Sequence, residues 1–439
     1  MRQTLDHRET SATSVVYGID EKPPLAEAIP LGIQHVLAML LGNITTPILV
    51  AGALALAVED TVLLIQVVLI MAGLATVVQS YPLGPVGSRL PIVMGTSIAF
   101  LGAIIGIASE YGLAVVFGAC LVASIVEIVI GFSIARVRDL FPPLVTSIVV
   151  MLIGLTLIPV GMDYAAGGPG AADYGSLANL GLAALVFVVT LGLNQFGHGF
   201  FSHASILLGM AVGYGISVSI GWVDFTPVSD ALWFSLPRLA PFGLEFEWGP
   251  ILIMGFIYVI STMETIGDIA GTVAAVDREP TDKELRGGLV ADGVMSGLAA
   301  LVSAFPNTSY SQNVGLINFT GVVSRHVTAI GGILLVALGL VPKVGALFAT
   351  IPAAVIGGGG LIMFAMIFAS GIAIFHRGVR ADRRSLVILA VSVGLGLGVE
   401  LRPEILIEAP QWTTSFFGSG LITGGLAALV LNLILPRRS

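Results

Sequence analysis

Two carboxylic acids, Glu264 and Asp268, stand four residues apart in an otherwise apolar run, and a third, Asp292, follows in the next such run. That spacing puts the first two on one face of a helix. An ionisable group at the centre of a membrane span costs about 2.5–3.5 kcal/mol on insertion scales, so each needs a partner or a task. Neighbouring carboxyls in a low-dielectric cavity can share one proton, a chemistry suited to coupling proton entry to a second solute. Downstream, Gln312-Asn313-Val314-Gly315 opens a polar segment that ends at Thr320-Gly321. The Gln312 amide offers an acceptor and two donors, which suits the rim of a planar heterocycle alternating N–H and C=O. Glu264 can accept from another ring N–H. Asn313, near a helix start, suits backbone capping, and Gly315 and Gly321 suit close helix packing.

Other polar residues weigh less. Glu127 has Ala123 and Ile130 as apolar neighbours and reads as structural. His35 reads either as a satisfied core histidine or as a relay that orients Glu264 or another acid. His198 and His203 flank a Gly/Phe-rich turn with no adjoining carboxylate or cysteine, so no metal is expected there. A single cysteine, Cys120, excludes an intrachain disulfide and any cysteine cluster. No cofactor and no nucleic-acid partner are implied.

The elements that must position these groups are membrane spans. Of 439 residues 56% are hydrophobic and 10% charged, with mean hydropathy +0.99, against roughly 25% charged in a soluble domain. The fold class is therefore an all-α polytopic membrane protein. Apolar runs of about 20 residues predict spans over 30–56, 61–79, 91–107, 112–134, 143–162, 178–195 and 203–222, then 248–275, 287–304, 312–323, 326–348, 352–375, 385–399 and 413–435. Residues 1–29 lack the apolar core of a signal peptide and read as a cytoplasmic tail. With both ends cytoplasmic, Arg238, Lys343 and Arg402 alone among the 19 basic residues lie outside, the asymmetry a multi-pass inner-membrane protein shows.

The two sets of seven spans carry a weak repeat. Gly42-Asn43-Ile44 resembles Gly267-Asp268-Ile269, Met94-Gly95 resembles Val314-Gly315, and Leu140-Phe141 resembles Leu347-Phe348. Because seven is odd, the second set must be inverted relative to the first, as in inverted-repeat transporters. The third and tenth spans are short, and each follows a polar or proline-bearing lead-in, Tyr81 to Pro91 and Phe305 to Ser311. Backbone of that kind must be buried in protein or line a cavity. The spacing predicts extended segments leading into half-helices whose N-termini face a ligand.

Gln312-Asn313-x-Gly315-x-x-x-x-Thr320-Gly321 resembles the signature of the nucleobase-ascorbate transporter family. The resemblance extends to Gln34-His35, Gly95-Thr96-Ser97, Met263-Glu264-Thr265-Ile266-Gly267-Asp268, Ala291-Asp292-Gly293 and Phe305-Pro306-Asn307-Thr308. It implies fourteen transmembrane segments as two inverted seven-span repeats. A core domain would comprise 30–142 (spans one to four) and 248–348 (eight to eleven), and a gate domain 143–222 (five to seven) and 352–435 (twelve to fourteen), with homodimers formed through the gate. It also implies that Glu264 and Gln312 bind the base, that Ser97 and Ile98 supply backbone contacts, and that Asp268, Asp292 and His35 support coupling and geometry during elevator-like movement. Relatives commonly carry Phe where this chain has Ile98. Gln312 together with Asp268 resembles xanthine/urate permeases, which implies a purine nucleobase as substrate and a proton as coupling ion; a uracil permease is the alternative. Anion carriers of the sulfate/bicarbonate type share the inverted design, but no mid-span Lys or Arg stands near the motif to hold an anion. An intramembrane enzyme built on Ser311 or Thr308 with His35, and a passive channel, are the remaining readings.

Overall fold

In hydrocarbon a chain satisfies its backbone most directly by hydrogen-bonding within each segment, so apolar runs become helices. The computed structural model describes residues 15–137, 142–198, 200–409 and 417–436. The first half holds α1 (Leu25–Ala53), α2 (Val58–Ser80), strand β1 (Met94–Thr96) with a 3-10 turn (Ile98–Phe100), α3 (Leu101–Tyr111), α4 (Leu113–Val137), α5 (Pro143–Ala165), α6 (Leu177–Phe196), the short α7 (Phe200–His203), α8 (Ser205–Ser219) and α9 (Thr226–Asp230). The second half holds α10 (Trp248–Ala274), α11 (Asp282–Leu301), β2 (Asn307–Ser309), α12 (Ser311–Thr320), α13 (Arg325–Gly339), α14 (Pro342–Ala349), α15 (Ala353–Gly378), α16 (Arg383–Leu401) and α17 (Gly420–Ile434).

Among the described residues eight helices are long and apolar enough to cross a membrane alone, or nine if α13 and α14, bent by 82°, form one broken span. Every interval read as a span carries helix, yet helix length does not itself yield fourteen crossings. The third is divided between a strand and a short helix, the tenth is a ten-residue helix that a strand precedes, α8 and α17 have fifteen residues each, and α11 is charged at its start. α1 begins at Leu25 and runs through Pro30, where the sequence reading begins its first span.

The extended segments are β1 and β2. They pair antiparallel, Met94 opposite Ser309, Gly95 opposite Thr308 and Thr96 opposite Asn307, and all six residues are buried. Asn43 of α1 receives the Thr96 amide at 2.7 Å, and the Tyr310 hydroxyl donates to the Thr96 carbonyl at 2.8 Å. On the other strand the Asn307 amide donates to the Ser296 hydroxyl of α11 at 2.9 Å, so neighbouring helices serve both strands.

Close helix contacts are made where side chains vanish. A Cβ on Gly73 of α2 would stand 2.4 Å from the Gly332 carbonyl of α13, and one on Gly357 of α15 would stand 2.1 Å from the Ala165 amide of α5. Aromatic rings fill the space around the ribbon: Phe117 stacks on Phe305, and Phe100 meets Tyr258 edge to face at 4.8 Å. The start of α11 is set by a capping box in which Thr281 and Glu284 satisfy each other's backbone amides.

Of the expected tail, 1–14 lie outside the described residues, as do Arg138, Arg437 and Arg438 and the repeat pair Leu140-Phe141. The segment before α1 is docked. The Val16 amide donates to the Gly321 carbonyl, Val323 donates to Tyr17, and Asp20 bridges Arg325 at 2.7 Å and Arg89 at 3.3 Å.

Candidate functional site

The acids of α10 face β2 and the start of α12. Asp268 is buried and receives two hydroxyl donors at 2.6 Å each, Ser309 from the end of β2 and Ser311 from the first position of α12. It also lies at the N-terminus of α12, where the helix dipole favours negative charge. Glu264, one turn earlier, is partly exposed and has the Thr308 hydroxyl and Asp268 as electrostatic neighbours. Asp292 of α11 is fully buried and accepts the Thr265 hydroxyl at 2.5 Å. One helix turn of α10 thus addresses three acids through hydroxyl groups on α10, β2 and α12.

Gln312 follows Ser311 on α12. It is exposed, and among the described residues nothing holds its amide. Space lies open beside it: a Cβ on Gly315, three residues on, or on Gly267, three residues after Glu264, would meet no atom within 4 Å. Gly315 therefore does not serve helix packing, contrary to the sequence expectation. Gly321 ends α12 in the left-handed conformation, φ 68°, which glycine adopts without strain.

Asn313 is corrected as well. The N-cap of α12 is Tyr310, so Asn313 sits inside the first turn and its side chain points away from the helix end. Its amide nitrogen donates to the carbonyl of His35 at 2.9 Å and to Nδ1 of the same residue at 3.0 Å. His35 is accordingly a buried partner of Asn313, with no hydrogen bond to Glu264 or any other acid among the described residues. With Nδ1 accepting, the proton of a neutral ring is on Nε2.

Ser97 spends its amide on the Pro306 carbonyl at 2.8 Å, extending the ribbon, so that N–H is not free for a ligand; its buried hydroxyl has no partner among the described residues. Ile98 lines a cavity of about 360 Å³ between α3, α10, α5 and α17, together with Thr156, Ile257, Glu400 and Ser419. A second cavity, about 570 Å³, is lined by Asp20, Arg89, Arg278, Glu284, Arg286 and Arg325 at the other end of the bundle. Neither is lined by Glu264 or Gln312.

Sequence reasoning missed the hydroxyls. Thr265, Ser309 and Ser311 hold Asp292 and Asp268, and Thr265 was legible as a polar residue three before Asp268 on the same helix. The contribution of β2 was not, because it depends on strand pairing. Glu127, read as structural beside Ala123 and Ile130, is fully buried and also has Asp292 and Thr262 acting on it. Among the described residues no three His, Cys, Asp or Glu form a metal site; the His203 side chain lies outside them.

A family model described as the Permease family matches residues 26–405. The chain belongs to the nucleobase-ascorbate transporter family. It is thus a multi-pass membrane permease and not an enzyme. Curated relatives include the xanthine permease of Bacillus subtilis, 38% identical with 93% of each chain covered, and the uric acid permease PucJ of the same organism, 37% identical over 93% of this chain and 92% of that one. Xanthine permease XanP of Escherichia coli is 36% identical over 98% and 96%. Among solved structures, the transmembrane domain of the cyanobacterial bicarbonate transporter BicA aligns with TM-score 0.57 at 14% identity, covering 93% of this permease and 97% of that chain. Murine Slc26a9, an anion transporter in the inward-facing state, aligns with TM-score 0.64 at 11% identity over 95% and 69%. At those identities the likeness shows a shared fold alone.

Proposed function

We propose that this permease imports a purine nucleobase of the xanthine or urate type by proton symport. The observation that carries the reading is the unbound amide of Gln312, one residue beyond the hydroxyl that braces Asp268 and with open space beside it and beside Glu264. An amide and a carboxyl so disposed offer alternating donors and acceptors to the rim of a flat heterocycle, while the acids of α10 and α11 offer places for a proton. The printed names of the relatives support the same substrate class. A uracil permease is the second reading within the family. An anion carrier is disfavoured, since the groups around Glu264 and Asp268 are carboxyls and hydroxyls without a lysine or arginine.

In this reading the chain crosses the inner membrane fourteen times as two inverted repeats, with both ends cytoplasmic. Spans one to four and eight to eleven form a core that carries Glu264, Gln312, Asp268, Asp292, His35, Asn313, Ser97 and Ile98. The core slides past a gate of spans five to seven and twelve to fourteen, through which two copies pair. The test is uptake of labelled xanthine, urate and uracil into proteoliposomes with and without an inward proton gradient. Gradient-driven accumulation of xanthine or urate is expected. Preference for uracil selects the second reading, and uptake that never exceeds equilibration rejects symport.

A further inference from the structure

Behind the acids that face the motif lies another that the transport reading leaves unused. Glu127, near the middle of α4, has no exposed surface; a Cβ on Gly293, next to Asp292 on α11, would stand 2.9 Å from the Ser124 carbonyl and 3.0 Å from the Ile128 amide of α4, so the two helices touch beside both acids, and each carboxyl acts on the other. Among the described residues neither oxygen of Glu127 nor Oδ1 of Asp292 has a donor. The Thr262 hydroxyl, although adjacent to Glu127, is committed to the Tyr258 carbonyl at 2.9 Å. The titratable groups around the pair are Glu264, Asp268 and Tyr258 from α10, with Cys120 on α4 itself; no lysine or arginine acts on it. Two ionised carboxylates donate nothing, and leaving buried acceptors unpaired beside like charge is costly. One shared proton supplies the missing donor between them.

From this pair a line of hydroxyls leads to the motif. Thr265 bonds Asp292 at 2.5 Å, Ser309 lies 3.5 Å from Thr265, and Ser309 bonds Asp268 at 2.6 Å. The line is complete with one proton in it and in either sense. When the protonated Asp292 carboxyl turns its proton from the Glu127 side to the Thr265 side, Asp292 donates to Thr265, Thr265 donates to Ser309, and Ser309 donates to Asp268. Passing that proton to Thr265, with each hydroxyl handing on its own, leaves Asp268 protonated, Asp292 ionised and both hydroxyls intact.

We propose that Glu127 and Asp292 hold one proton between them, and that the Thr265 and Ser309 hydroxyls connect this store to Asp268. Glu127 is a positioning residue that sets how tightly Asp292 keeps the proton. The inference rests on the symport reading for its transport consequence, but the shared proton itself does not.

The experiment uses the full-length permease in proteoliposomes. Glu127→Gln gives Asp292 a permanent amide donor and removes an acid, so Asp292 releases its proton more easily. Xanthine counterflow is expected within about two-fold of wild type, while the pH midpoint of gradient-driven uptake moves acidward by about one unit, the scale of coupling between such groups. Thr265→Val is expected to lose gradient-driven accumulation and keep counterflow, and Thr265→Ser to restore accumulation. An unshifted midpoint in Glu127→Gln, or full accumulation in Thr265→Val, overturns the proposal. If wild type ignores the gradient, symport fails and the pair is judged by infrared spectroscopy. A protonated-carboxyl band lost in both Glu127→Gln and Asp292→Asn supports it, and a band unchanged by either overturns it. The infrared readout also decides where Glu127→Gln is inactive.

Discussion

Asn313 reaches from α12 to α1 and gives both amide hydrogens to a single residue, the carbonyl and ring nitrogen of His35. The signature motif is thus tied to the first helix by a contact that needs an amide at one end and an unprotonated Nδ1 at the other. Asn313→Ala is expected to cost about 1–3 kcal/mol through the acceptors left unpaired, seen as a lower melting temperature in detergent. His35→Leu removes only the Nδ1 contact and keeps the backbone carbonyl, so it should cost less, and the double substitution should cost less than the sum because the ring contact is lost in both. Full additivity would show that the two residues act separately.

Glu264 and Gln312 have a different expected signature. Neither holds the fold: Gln312 has no partner among the described residues, and Glu264 is partly open. Glu264→Gln and Gln312→Ala should each lower purine uptake at least ~100-fold, about 2.7 kcal/mol by the usual conversion, with melting temperature and membrane yield unchanged. Wild-type-like uptake by both variants removes these residues from the site.

Asp20 predicts an acid-sensitive clasp. The Arg325 guanidinium hydrogen-bonded to Asp20 holds its carboxyl below the usual carboxylate range, with Arg89 adding to the effect. A depressed folded-state pKa contributes stability that is present above the unfolded value, about 3.9, and fades as pH falls through the folded one. The side chain is 61% exposed, so the effect is small, at most about 1 kcal/mol. Proteolytic cleavage between residues 15 and 24 should accelerate below about pH 4, and Asp20→Asn should cleave fast at every pH. A pH-independent rate in the native protein would contradict the clasp.

Gly73→Ala tests the closest contact between α2 and α13. The added methyl would meet a backbone carbonyl and the backbone amide of Val336, which have no rotamer to yield. A loss of about 1–3 kcal/mol is expected, measured as thermal stability of the purified protein; an unchanged melting point would mean that the helices separate freely.

Much of this molecule is written in its composition and spacing. The apolar runs predict helices because hydrocarbon leaves few alternatives, and the proline-bearing lead-ins at Tyr81–Pro91 and Phe305–Ser311 foretell the paired strands. Glu264, Asp268 and Asp292 are conspicuous because charge is rare there. What stays hidden depends on contacts between distant segments: that Asn313 bonds His35 rather than capping its helix, that Ser97 has already spent its amide on Pro306, and that Glu127 meets Asp292. Gly315 misleads for a related reason. A glycine's role depends on what stands opposite, and here nothing does.

The pairing of β1 with β2 also constrains how the protein is made. One strand ends at Thr96 and the other begins at Asn307, so during synthesis the first waits, its Thr96 amide served by Asn43 but the neighbouring Ser97 amide still without the Pro306 carbonyl, until more than two hundred further residues have been inserted. Assembly of the paired ribbon is therefore among the later events of biogenesis, and a ribosome stalled before β2 would leave a nascent permease with one strand lacking its mate, a natural target for membrane quality control.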